Sequence, residues 1–165
     1  MTYTRSSLGN NEPFNPLSHQ WTTLPTKMLG GGNRCFGSVF LNNEMFIVGG
    51  VGRSKTVTSY NCETGEWTQH PSLPEGRLRC AATAVNEHEF VVIGGNRPSE
   101  SNFLYNMKTK TWSVLPPLQE HREDPACVSV GGKVYVIGGR HHDWCYDNLM
   151  EMLCAFQPSR AVWRA

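Results

Sequence analysis

YNCETGEW, Tyr60 to Trp67, reads as a tight hairpin: an aromatic residue, a polar turn through Cys62-Glu63-Thr64-Gly65, and a tryptophan to close. The same frame recurs as FNPLSHQW (Phe14 to Trp21), YNMKTKTW (Tyr105 to Trp112) and FQPSRAVW (Phe156 to Trp163). Six residues lie between each aromatic and its tryptophan, an even number, so a symmetric turn sets the two directly opposite on one face of a strand pair. Cross-strand aromatic pairs of this kind contribute roughly 0.2–1 kcal/mol each and hold the register.

Between these hairpins fall glycine doublets at Gly49-Gly50, Gly94-Gly95 and Gly138-Gly139, spaced 45 and 44 residues apart. The tryptophans are spaced by 46, 45 and 51. A period in this range marks a chain of stacked structural units. Within each unit a half-apolar run (CFGSVFL, CAATAV or ACVSV) leads through Asn42-Asn43, Asn86-Glu87 or Gly131-Gly132 into MFIV, FVVI or VYVI. Short continuous runs of β-branched and aromatic residues, bounded by turn residues, read as strands covered on both faces. A third strand carries the Tyr or Phe and a fourth the Trp, which makes a four-stranded antiparallel meander per unit. The doublets end the second strand where the backbone must turn or lie close to a neighbour, and glycine tolerates both.

Apolar strand, Gly-Gly, then Tyr and Trp around a turn: this signature resembles the kelch repeat, the blade unit of kelch β-propellers, over roughly residues 10–165. The WD propeller blade has a similar period but expects Asp after the Trp, where this chain has Thr22, Thr68, Ser113 and Arg164. The resemblance implies an all-β, kelch-type β-propeller with three four-stranded antiparallel blades and the last strands of a preceding blade, an incomplete ring. Residues 1–9 are expected to be disordered, 10–25 to form the tail strands, and 26–71, 72–116 and 117–165 to form repeats one to three. The insertion RHHDWCYDNLMEMLC lengthens the third unit and makes Phe156 the counterpart of Tyr60 and Tyr105. Closed propellers use about four to eight blades. The remaining blades of a longer chain, or self-association, are therefore expected to complete the ring.

Composition narrows the function classes. Fifteen Lys+Arg against fourteen Asp+Glu leave a net charge of +1, which points to neither nucleic acid nor an anionic membrane. The N-terminal MTYTRSSLGNNEPF lacks the apolar core of a signal peptide, and no stretch approaches the roughly 18 apolar residues of a membrane span. Six scattered cysteines without an Asn-x-Ser/Thr site read as reduced thiols in a cytoplasmic protein. Cys35 and Cys80, read as equivalent, and Cys127 are expected to be small packing residues of first strands near the propeller centre. Reactive-thiol sensing is the alternative there.

The connections entering the first strands and those between second and third strands lie at the same end of a meander. Arg34, Arg79 and Arg122 fall in the first set, and Arg53, Arg97 and Arg140 with His141 and His142 in the second. A rim of guanidinium groups suits an acidic peptide or loop, because Arg binds carboxylates bidentately. An ordinary mixed-charge surface competes with that reading, since Glu75, Glu100, Glu120, Glu123, Asp124 and Asp143 share the connections. The segment His141-His142-Asp143-Trp144-Cys145 with Cys154 lacks the tight paired spacing of zinc sites, so no metal is expected. Gly30-Gly31-Gly32 sits in a connection and not at a strand-to-helix junction, so no nucleotide cofactor is expected either. No nucleophile-base-acid order stands out.

The expected function is a non-catalytic protein-interaction module that recognises a protein partner through loops on one propeller face. The family resemblance implies substrate-recruiting adaptors of ubiquitin ligases or cytoskeletal, actin-binding adaptors as settings. The alternative is an enzyme or a small-molecule or carbohydrate binder that uses the central funnel of the fold.

Overall fold

A computed structural model of the chain describes residues 12–24, 27–96, 101–140, 150–153 and 163–164. The expected disorder of residues 1–9, together with Arg97, His141, His142, Cys145, Cys154 and Phe156, lies outside the described residues. Strands β1 (Phe14–Asn15) and β2 (Gln20–Trp21) form a two-stranded hairpin. Blade 1 consists of β3 (Gly37–Leu41), β4 (Glu44–Val48), β5 (Val57–Asn61) and β6 (Trp67–Gln69). Blade 2 follows as β7 (Ala81–Asn86), β8 (Glu89–Ile93), β9 (Asn102–Asn106) and β10 (Thr111–Leu115). Blade 3 comprises β11 (Ala126–Val130), β12 (Lys133–Ile137), β13 (Met150–Leu153) and β14 (Trp163–Arg164). Each blade is an antiparallel meander in chain order, so the described chain is all-β and builds three propeller blades of an incomplete ring.

Tyr60 pairs with Trp67, Tyr105 with Trp112 and Phe14 with Trp21, with ring centroids 5.2, 4.7 and 5.1 Å apart. The fourth pair does not follow: Trp163 stands opposite Leu153, in a third strand of blade 3 described over Met150–Leu153. An asparagine after each aromatic closes the first three turns. Asn61 Oδ1 accepts from the Glu63 and Thr64 amides, and Asn106 Oδ1 from those of Lys108 and Thr109. Asn15 does the same for Leu17 and Ser18. Blade 2 differs at its first turn. Its inner hairpin holds one residue more, so the register shifts between Ala84 and Asn86 and the turn falls on Glu87-His88, not on Asn86-Glu87.

The blades meet in two apolar seams. Val39, Leu41, Phe46 and Val48 of blade 1 share a core with Cys80, Phe90, Val92 and Tyr105 of blade 2. Val91, Ile93, Leu104 and Leu115 of blade 2 share another with Val134 and Val136 of blade 3. The doublet glycines bring backbones together across these seams. Gly49 and Gly94 have φ of 69° and 64°, and a Cβ there would come within 2.3 and 2.5 Å of the carbonyl oxygens of Arg77 and Arg122. The second glycines, Gly50 and Gly95, donate to those same carbonyls at 2.9 and 2.8 Å.

Candidate functional site

Three residues that precede the innermost strands have left-handed backbones: Cys35, Arg79 and Asp124, with φ of 57°, 58° and 51°. They are linked from blade to blade, the Arg79 amide donating to the Cys35 carbonyl at 2.7 Å and the Asp124 amide to the Arg79 carbonyl at 2.8 Å. This ladder fixes the floor of a cleft of about 470 Å³ on one face of the blades, lined by Arg34, Cys35, Val51, Leu78, Arg79, Asn96 and Glu123. Asn96 is itself held by Leu78, its Oδ1 accepting from the Leu78 amide at 2.8 Å. That bond ties the Asn96 side chain in the wall to the Leu78 backbone beside it.

Of the arginines singled out from the sequence, Arg34 and Arg79 reach this cleft. Arg34 is exposed, and Arg79, 39% exposed, donates through Nη1 to Glu123 Oε2 at 3.0 Å. Arg140 faces the same acids, its Nη2 lying 3.2 Å from Glu123 Oε2 and 3.1 Å from Asp124 Oδ2. Arg53 is turned away and donates to the Gly30 carbonyl. Arg122 requires a correction. It is 2% exposed and its Nη1 donates to the Gly138 carbonyl at 2.8 Å, so it holds its own blade together instead of meeting a partner. Arg97, His141 and His142 lie outside the described residues.

Sequence reading passed over Arg77, the true counterpart of Arg122. Both carbonyls take the preceding doublet, and both side chains are buried. Arg77 lies over the Phe103 ring at 5.1 Å and donates to Glu75 at 3.2 Å and to the Ser101 carbonyl. Burial lowers its pKa and Glu75 opposes that shift. The signal was the 45-residue interval between the two.

Of the cysteines, Cys35 also needs correcting. Cys35 is exposed at the cleft and corresponds to Arg79 and Asp124 in the ladder, not to Cys80. Cys80 is buried, and burial pushes its pKa up to about 11 and that of the partly buried Cys127 up to about 12. Both are protonated thiols at neutral pH, inert packing groups rather than nucleophiles.

Serine, histidine and a carboxylate do meet elsewhere: Ser59 Oγ lies 2.8 Å from His70 Nε2 and donates to Glu44 Oε2. The serine is 1% exposed, and the carboxylate touches it directly instead of orienting the far ring nitrogen. That arrangement positions a seam and presents no attacking oxygen. Among the described residues no group of three His, Cys, Asp or Glu side chains is placed to hold a metal ion. Among the described residues no helix is long and apolar enough to cross a membrane.

Comparison with known proteins places this geometry. The family model described as Kelch motif matches residues 32–74. A second, described as Protein of unknown function (DUF1668), matches residues 69–164. The solved structure described as "Structure of YjhT" superposes with a TM-score of 0.81 at 12% identity, over 95% of this chain and 52% of that one. At that identity the likeness is one of fold. The chain spans about half the length of the YjhT chain. No curated protein matches.

Proposed function

We propose, for a chain that belongs to the kelch-repeat family and through residues 69–164 to the family described as Protein of unknown function (DUF1668), a non-catalytic role in binding a protein partner. The observation that carries the reading is the cleft at Arg34 and Arg79. Its floor carries the hydrogen-bonded backbone of Cys35, Arg79 and Asp124, its walls include apolar Val51 and Leu78, and Arg34 stands exposed at it. An apolar cleft with a guanidinium at its mouth suits an acidic peptide or loop, because one carboxylate is bound bidentately while neighbouring side chains are desolvated. Glu123 competes for Arg79, so Arg34 is the cation that selects the ligand. A cytosolic adaptor, recruiting substrates for a ubiquitin ligase or serving the cytoskeleton, is the setting that fits such a module.

The test is anisotropy of a labelled glutamate-rich peptide against a lysine-rich one, at low and raised salt. The acidic peptide should bind in preference and weaken with salt, and Arg34→Glu should weaken it by about tenfold or more. Equal binding by the Arg34→Glu variant, or no preference between the peptides, would sink the reading.

A further inference from the structure

The hairpins end on a shared pattern, a tryptophan followed three residues later by an apolar residue and then proline. It reads Trp21-Thr-Thr-Leu24-Pro25 and Trp112-Ser-Val-Leu115-Pro116, yet Trp67-Thr-Gln-His70-Pro71 in blade 1. The strand beside it shows the same exchange, with Ser59 where blade 2 has Leu104. Leu104 and Leu115 are both buried in the seam between blades 2 and 3. Blade 1 thus places a serine and a histidine where the next seam is closed by two leucines, and nothing in the proposed recognition cleft uses them.

The hydrogen bonds of this pair have one consistent direction. Ser59 Oγ has a single proton and donates it to Glu44 Oε2. His70 Nε2, 2.8 Å from Ser59 Oγ, must therefore be the protonated nitrogen and donate to that hydroxyl oxygen. Nδ1 is left as an acceptor, and the Tyr105 hydroxyl of blade 2, 3.2 Å away, donates to it across the seam. The next residue adds a second bond between the blades, Trp112 Nε1 donating to the Pro71 carbonyl at 3.0 Å. The Phe46 ring closes over the imidazole at 4.9 Å.

A proton on Nδ1 would face the Tyr105 proton head-on. The hydroxyl would have to turn and accept, and its own proton would then lose its acceptor in a site where Tyr105 is fully buried. We infer that the His70–Tyr105 contact is a proton-sensitive latch between blades 1 and 2, closed while His70 is neutral and released when the imidazole is protonated. The groups that face the ring are Glu44 on β4, Ser59 on β5 and Tyr105 on β9, with Lys110 acting from the turn after β9. Burial lowers the His70 pKa from its ordinary 6.5, Glu44 works against this and Lys110 adds to it. With the folded value depressed, the latch's contribution is present above about pH 6.5, the unfolded value, and is lost as the pH falls through the folded value.

The experiment is urea unfolding of the full chain from pH 7.5 down to pH 5, roughly the range in which histidine titrates, together with an NMR titration of the His70 ring. Wild type should lose up to about tenfold in its folded-to-unfolded ratio per pH unit beyond the loss in His70→Gln, the slope that one linked proton gives. The His70 signal should titrate below 6.5. If His70→Gln fails to fold, the double variant Ser59→Leu/His70→Leu, which restores the leucine pair of blade 2, supplies the flat comparison. A wild-type pH slope matched by these variants, or a His70 ring titrating at or above 6.5, overturns the latch.

Discussion

A left-handed residue closes each of the three aromatic hairpins at the same place, and the chain fills it three ways. Gly65, Lys110 and His19 have φ of 74°, 55° and 55°. Only glycine takes that conformation without a Cβ penalty of roughly 1–2 kcal/mol. Lys110→Gly should therefore raise the stability of the chain by about 0.5–1 kcal/mol, part of the relief being returned as extra freedom of the unfolded chain. Urea denaturation checks it, and an unchanged or lowered midpoint would mean that the turn is not held as described. At this scale the sequence was legible where side chain and backbone role coincide. The aromatic pairs and Gly65 could be read directly, whereas the asparagines at 15, 61 and 106 recur just as regularly and their turn-closing role emerged only with the hydrogen bonds.

Between elements the reading was less secure, and the arginines show why. Arg34, Arg79 and Arg122 fall three, two and four residues before the first residues of β3, β7 and β11, which are Gly37, Ala81 and Ala126. A shift of one residue in a tight connection swings a side chain from the cleft into the blade, so equal residue types gave unequal positions. Arg79 stands at the cleft, while Arg122 supports the Gly138 carbonyl from within. The difference is measurable. Arg122→Ala should cost about 2–4 kcal/mol, since it empties a buried site and strips a carbonyl of its donor, whereas Arg34→Ala should stay within about 0.5 kcal/mol. Comparable losses in the two variants, by urea or thermal melting, would contradict the assignment.

At the scale of the whole molecule, each blade is covered by the next. Ile93 and Ile137 end the second strands of blades 2 and 3 at the same repeat position, yet Ile93 is fully buried and Ile137 is 45% exposed. Val128 and Val130 of blade 3 are exposed as well, where blade 1 buries Val39 and Leu41 at the matching positions. Ile93→Ala should accordingly cost about 2–5 kcal/mol and Ile137→Ala less than half of that. Equal costs would show that something covers blade 3 in solution as blade 3 covers blade 2.

The residue order alone determined the strands, their pairing within blades and the unit that repeats, because those depend on contacts a few residues apart that recur on a fixed period. The third strand of blade 3 escaped it, since the insertion after Gly139 broke that period. Only the tertiary structure decided which arginines are surface and which are scaffold, that Cys35 belongs to the cleft, and that Ser59 and His70 meet Tyr105. Those facts depend on how one sheet lies against the next, a packing that no local pattern encodes.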